Sequence, residues 1–337
     1  MTSIIVEVLA LLGMKAIRLH AFGPAENLVY EDVPDPVLSA GMVLVEVEAA
    51  GVHLVDTMIR AGSTGGSPIP VPELPTIPGR EVAGRVSAVA ADVSSSWVGK
   101  RVVVHLGMVP GGYAERAVAK VESLYELPAH VDAAQAVAAI GTGRTTAGIL
   151  SQARLTADDV VLVTAAAGGI GSYLVQAGRN VGATVVGLTG GPAKVELVRS
   201  LGAQYAVDYT DPDWAAGLKA ELGHREASVL LDGVGGPNGQ QAFELLGVGG
   251  RLFMFGWSGG GPIEFTHTDL MSRGLTAGWA IGAKLSTQLR KLESTALEET
   301  TSGRWKALTT AFPLSEASAA HQALEDRATT GKVVLIP

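Results

Sequence analysis

The chain has 337 residues, of which 47% are hydrophobic, and it carries a formal net charge of −8. That length is enough for two domains with sizeable cores, and the hydrophobic share marks a globular chain. The acidic balance without any run of Lys and Arg argues against a nucleic-acid partner, and the absence of cysteine excludes disulfides, thiolate chemistry and cysteine-ligated zinc.

At the N-terminus, residues 4–12 are apolar, but Glu7 interrupts them, no basic start precedes them, and the run is too short to span a bilayer. Residues 1–13 therefore read as an extension, with Met14 a candidate natural start. The expected compartment is the cytoplasm, without membrane association.

Residues 14–131 hold short strand-like runs at 43–47, 82–89, 101–105 and 113–118, punctuated by Gly and Pro. This predicts an irregular, mostly β domain. From residue 132 the rhythm changes, with apolar runs at 160–163, 184–188, 205–207, 229–231 and 251–255 separated by helix-length segments. Such alternation predicts an α/β domain over residues 132–283, a doubly wound parallel sheet with helices on both faces. Residues 284–301 are polar and helical in pattern, Ser315 reads as the N-cap of a further helix, and residues 332–336 form a final strand. A lone terminal strand needs a partner, so residues 284–337 are placed back against the first domain. The Gly-rich stretches 62–66 and 259–261 read as loops rather than linkers.

At the first strand-to-helix junction of the second domain the sequence runs VTAAAGGIGSYLVQ over residues 163–176. Aligned on the dinucleotide fingerprint, Ala166, Gly168 and Gly171 take the three small-residue positions, with Gly169 and Ile170 between the last two. Gly168 admits a pyrophosphate close to the backbone, Gly171 lets the helix pack on the sheet, and the helix N-terminus offers free N–H groups to the anion. Small residues here also suit tight strand-helix packing without a ligand. The preceding strand, the following helix and the further βα units favour the cofactor.

The next strand ends LTGGPAK over residues 188–194, where a carboxylate would hold the ribose 2′-hydroxyl of NAD. No acid stands in that segment to repel a phosphate. Gly190 leaves room for a 2′-phosphate and Lys194 is a cation within reach, which favours NADPH over NADH. The alternative for Lys194 is an ordinary solvated lysine.

With these elements in place, the chain resembles the medium-chain dehydrogenase/reductase superfamily, in particular its zinc-independent quinone oxidoreductase-like branch. The resemblance runs from Met14 to Pro337 and is carried by AAGVHLVDTMIR (49–60), PGREVAG (78–84), AAAGGIG (165–171), LGA (201–203), FGWS (255–258) and GKVVL (331–335). It implies a GroES-like domain plus a Rossmann domain, with the active site in the cleft between them. Zinc-bearing relatives place Cys and His where this chain has His53 and Arg80. His53 and Glu81 alone do not supply the three protein ligands of a catalytic zinc, so no metal is expected.

By position, the resemblance puts Gly190, Lys194 and Tyr209 around the adenosine phosphate and Thr146 near the pyrophosphate and nicotinamide. Phe255, Gly256, Trp257 and Ser258 would line the nicotinamide, with Lys332 closing the site from the returning strand. Tyr209 also reads as a half-buried strand end, and Lys332 as a surface residue. Many relatives carry Asn at the position of His53 and Tyr at that of Met58, both facing substrate. His53 reads either as a hydrogen-bond donor to a substrate carbonyl or as a structural histidine, Met58 makes the pocket more apolar, Trp257 narrows the nicotinamide side, and Asp56 reads as a loop-fixing residue.

The implied activity is metal-free, NADPH-dependent reduction of a quinone or similar conjugated carbonyl. An enoyl or enone reductase is the alternative, and a non-catalytic NADPH-binding protein a third reading. The resemblance further implies a homodimer formed through a strand at residues 275–280.

Overall fold

The structure is a computed structural model that describes residues 13–63 and 69–337. It divides into two compact units, one made of the described residues up to Gly141 together with Thr309–Pro337, the other of Thr142–Leu308.

The first unit opens with β1 (Gly13–Leu19) and β2 (Leu28–Pro34), an antiparallel ribbon. Then come β3 (Met42–Val52), α1 (Leu54–Arg60), β4 (Glu81–Val89), β5 (Arg101–His105), β6 (Arg116–Lys120), β7 (Tyr125–Glu126) and α2 (Ala133–Ala138). Along β3, Val43, Val45 and Val47 are buried while Glu46 and Glu48 are exposed, the period of two expected of a strand with one face on a core. Asp132 caps α2 by accepting from the N–H groups of Ala134 and Gln135.

The second unit alternates helix and strand: α3 (Arg144–Ala153), β8 (Val160–Val163), α4 (Gly169–Asn180), β9 (Thr184–Thr189), α5 (Pro192–Ser200), β10 (Tyr205–Asp208), α6 (Trp214–Leu222) and β11 (Ala227–Asp232). It continues through α7 (Gly236–Glu244), β12 (Leu246–Met254), α8 (His267–Arg273), β13 (Thr276–Trp279), α9 (Ala283–Ser286) and α10 (Leu289–Thr301). All pairings in its sheet are parallel, in the order β10-β9-β8-β11-β12-β13. This is the doubly wound order in which the chain reverses direction beside β8, so the C-terminal ends of β8 and β11 open a crevice. Every residue of β8 is buried, as both-sided helix packing requires.

The chain then returns to the first unit with β14 (Thr309–Pro313), α11 (Ala317–Glu325) and β15 (Lys332–Ile336). The final strand pairs antiparallel with β3 and parallel with β14, giving the order β14-β15-β3-β4-β5-β7 with β6 also on β3.

The fold agrees with the expected pairing of an irregular β unit and a doubly wound α/β unit, but several bounds differ. The units divide after Gly141 and Leu308, where the sequence placed divisions after residues 131 and 283. Packing explains both shifts. The α2 residue Val137 lies against β3, where a Cβ on Gly51 would meet it at 2.8 Å, and a Cβ on Gly148 of α3 would meet Leu285 of α9 at 2.3 Å and Leu292 of α10 at 3.4 Å. Arg144 and Glu293 add an ion pair between α3 and α10 at 2.9 Å.

The expected strand at 113–118 forms only from Arg116, because the Tyr113 N–H donates to the Pro78 carbonyl and its own carbonyl accepts from Ile17. The run at 251–255 ends at Met254, since the Phe255 N–H donates to the Asp232 carbonyl. Residues 284–301 divide between α9 and α10. Ser315 is not an N-cap: it lies inside a 3-10 turn, Leu314–Glu316, with α11 following Glu316, and the buried Leu314 and Ala317 anchor that entry. Residues 1–12 of the expected extension and 64–66 of the expected loop lie outside the described residues. Among the described residues no helix is long and apolar enough to cross a membrane.

Candidate active site

In the second unit, the residues of the fingerprint stand where β8 gives way to α4. Ala165 takes φ +47°, turning the chain sharply after the strand. The Gly168 N–H closes that turn on the Ala165 carbonyl at 2.8 Å. A Cβ on Gly171 would lie 2.2 Å from the same carbonyl oxygen, and one on Gly168 would lie at 3.1 Å. Gly171 is therefore required for the helix to approach the turn. No side chain caps α4 at Gly168, so its leading N–H groups face outward from the strand ends, the arrangement that receives a pyrophosphate. Ala166 is fully buried, and Gly169 and Ile170 are partly exposed at the helix start.

At the neighbouring strand ends, the Tyr209 N–H donates to the Thr189 carbonyl at 2.9 Å. A Cβ on Gly190 would meet the Tyr209 ring at 3.3 Å and the Thr210 methyl at 3.5 Å. Gly190 and Tyr209 thus lie together at the ends of β9 and β10, with Lys194 in the first turn of α5. One residue here escaped the sequence reading: Asp208 accepts the Gly191 N–H at 2.9 Å, the Thr210 N–H at 3.0 Å and the Thr210 hydroxyl at 2.7 Å. The Gly191 hydrogen bond, with those from Thr210, holds its carboxyl below the usual range.

On the other side of β8, Asp232 ends β11 fully buried. It accepts the Thr164 hydroxyl at 2.8 Å and the N–H groups of Val234 and Gly235 at 3.2 and 2.9 Å. Burial raises its pKa against those hydrogen bonds. The turn it pins in turn holds the 255–261 segment, because Ser258 and Gly259 donate to the carbonyls of Gly233 and Val234. Phe255, Gly256, Trp257 and Ser258 are partly exposed on this turn, and Trp257 packs on Trp279 with ring centroids 5.1 Å apart. Thr146 lies fully buried in α3 and its hydroxyl donates to the Thr142 carbonyl at 2.9 Å.

In the first unit, His53 precedes α1 and its N–H donates to Asp56 at 2.8 Å, so Asp56 fixes the helix entry as expected of it. Met58 is partly exposed on α1. The His53 Nε2 lies 2.5 Å from Glu81 Oε1, and Lys332 Nζ lies 2.9 Å from Glu81 Oε2. Glu81 and Lys332 are both buried, and His105 Nε2 stands 3.9 Å from Glu81 Oε1. The carboxylate fits only because two neighbours lack side chains. A Cβ on Gly51 would lie 2.4 Å from Oε2, and one on Gly141 would lie 1.6 Å from Oε1.

Burial alone would raise the Glu81 pKa, but His53, Lys332 and His105 together hold it well below the usual carboxylate range. Burial draws the Lys332 ammonium below its usual value, against the pull of Glu81. Lys332 is therefore not the surface residue of one sequence reading; β15 carries it inward onto Glu81. Neither the Glu81 pairing nor the part of His105 had a signal in local pattern.

Two family models match the chain: "Alcohol dehydrogenase GroES-like domain" over residues 39–129 and "Zinc-binding dehydrogenase" over residues 169–297. The quinone oxidoreductase of Sus scrofa is 33% identical over 330 residues, covering 96% of this chain and 98% of the relative. The chain belongs to the quinone oxidoreductase-like, zinc-independent branch of the medium-chain dehydrogenase/reductase superfamily. It is an oxidoreductase of that branch.

Other members extend the comparison. A 2-haloacrylate reductase of a Burkholderia species is 30% identical over 95% of this chain and 98% of its own length. The structure of Escherichia coli quinone oxidoreductase complexed with NADPH superposes with a TM-score of 0.83 at 28% identity, covering 96% of this chain and all of that one.

The superfamily includes zinc-binding cousins, and the residues here do not suit that metal. Among the described residues no group of three or more His, Cys, Asp or Glu is placed to hold a metal ion. Arg80 stands at the cousins' His position with its guanidinium 3.5 Å from Asp56, and both oxygens of Glu81 already face His53 and Lys332.

Proposed function

We propose that the chain reduces a quinone or similar conjugated carbonyl with NADPH, without a metal. The observation that carries this reading is the space made by Gly168 and Gly171 at an uncapped helix start, beside the Gly190, Tyr209 and Lys194 cradle. Its likeness to an NADPH-complexed quinone oxidoreductase supports the same cofactor. When bound, NADPH supplies the hydride.

The chain's own residues then bind and orient. Gly168 admits the pyrophosphate to the α4 N-terminus, which Gly171 lets approach the turn, and Lys194 with Tyr209 receives the 2′-phosphate over Gly190. Phe255, Gly256, Trp257 and Ser258 line the nicotinamide on the turn that Asp232 pins, and Thr146 borders it from α3. Lys332 holds, from β15, the second oxygen of the Glu81 carboxylate that His53 faces. With Nε2 committed to Glu81 and its other ring nitrogen accepting the Asp56 N–H at the start of α1, His53 borders the acceptor with its ring edge, and the acceptor's oxygen takes up a proton from solvent as the neighbouring carbon takes hydride. Met58 presents an apolar wall to the acceptor.

An enone reductase is the second reading, favoured by the resemblance to a 2-haloacrylate reductase and by His53 and Met58 replacing the Asn and Tyr of many relatives. The protein is further proposed to be a cytoplasmic homodimer joined through β13, one of the two edge strands of its sheet, and light scattering tests the dimer.

The deciding experiment is NADPH binding by titration, followed by NADPH oxidation with a simple quinone, an α,β-unsaturated ketone and an enoyl thioester. Turnover of quinones alone rejects the enone reading, and the reverse rejects the quinone. Tight NADPH binding without turnover of any acceptor supports a non-catalytic NADPH-binding protein instead. Lys194→Ala is expected to weaken NADPH roughly tenfold or more while leaving NADH nearly unchanged. His53→Ala, which removes the wall beside the acceptor, is expected to lower kcat by roughly 10²-fold with NADPH affinity intact.

A further inference from the structure

The acid missing from the end of β9 is present in space. Asp208, the last residue of β10, pairs in register with Thr189, so its side chain stands beside the Gly190-Gly191 turn. It takes the Gly191 N–H at 2.9 Å, and Gly191 is the residue that precedes α5. Thr210, whose amide and hydroxyl both donate to the same carboxylate oxygen, has its methyl group against Gly190. The carboxylate therefore braces both sides of the cradle assigned to the 2′-phosphate. It also places a fixed negative charge there, with its oxygen already holding an N–H from the turn that opens α5.

We infer that Asp208 sets the cofactor preference of this chain: its carboxylate orders the Gly190-Gly191 turn for either dinucleotide and, through its charge, lessens the advantage of NADPH over NADH. This rests on the NADPH reading of the cradle. The two roles separate chemically. An amide at this position keeps the oxygen that accepts from Gly191 and Thr210 but removes the charge, whereas a methyl group removes both. The charge effect is electrostatic across a solvated cradle, so salt screens it.

The test is calorimetric titration of the wild type, Asp208→Asn and Asp208→Ala with NADPH and with NADH, at low and high salt. Asp208→Asn is expected to tighten NADPH roughly three- to tenfold at low salt while leaving NADH within about twofold, with the gain shrinking in high salt. Asp208→Ala is expected to weaken both cofactors. An unchanged NADPH-to-NADH ratio in Asp208→Asn, in a wild type that binds NADPH, overturns the inference and leaves the cofactor reading standing. Failure of the wild type to bind either dinucleotide overturns both.

Discussion

Lys332 ends the chain's last crossing with its ammonium 2.9 Å from Glu81 Oε2, so an ion pair buried at both ends ties β15 to β4 through the carboxylate. Removing one partner of such a pair leaves the other charge without compensation in a low-dielectric interior, typically at a cost of about 3–5 kcal/mol. Glu81→Gln and Lys332→Met should each destabilise by that order in denaturant unfolding, and the double variant should cost much less than their sum. A folded Glu81 carboxyl below its usual 4.5 means that the unfolded chain binds more protons as the medium acidifies. The contribution of Glu81 is therefore complete above about pH 4.5 and is lost as pH falls through its lower folded value. Additive single and double variants would show that the pair is not coupled.

Gly171 admits a sharper test than any other fingerprint residue, because the atom it would strike is a backbone oxygen that cannot swing aside. A Cβ there would sit 2.2 Å from the Ala165 carbonyl oxygen and 2.8 Å from Ala166 Cα. Gly171→Ala must push α4 away from the turn, at roughly 1–3 kcal/mol of overpacking. NADPH affinity should fall with it, since the same displacement moves the α4 N-terminus. Gly217→Ala, where a Cβ meets nothing within 4 Å, is the control and should leave binding unchanged. Equal binding by the two variants would mean that α4 does not receive the pyrophosphate.

Gly171 was readable because strand, small residues and amphipathic helix follow one another within a dozen positions, and both periodicities are local. The same holds for β8, β5 and β15, whose bounds match the apolar runs. Glu81 was visible only as part of a familiar motif. Its partners come from α1's entry, from β5 and from the last strand, and no local pattern announces that Gly51 and Gly141 are small to leave room for its oxygens. Asp208 was missed for a related reason. The acid was sought at the end of β9, but parallel pairing brings the end of β10 to the same turn, which depends on strand order rather than on spacing. The late unit boundary at Leu308 likewise follows from α10 packing on α3, a contact between faces far apart in sequence.

His321 supplies a prediction for acid stability. It is fully buried in α11, with Nε2 3.3 Å from the Tyr113 hydroxyl and the two rings edge to face at 5.8 Å. Burial lowers its pKa to about 4, the Asp56 charge pulling it up and Arg60 pushing it down. Folded histidine thus titrates below its unfolded value of about 6.5, and between these values the unfolded chain holds the extra proton. The stabilisation is complete above pH 6.5 and is lost as pH falls toward 4, amounting to roughly 3 kcal/mol at full extent. Unfolding free energies measured from pH 7 to 4.5 should fall more steeply for the wild type than for His321→Gln, which cannot take up that proton. An NMR titration gives an independent reading that survives poor folding of the variant, since the wild-type ring should stay neutral at pH 5.5. Parallel slopes together with a ring that titrates near 6.5 would refute the assignment.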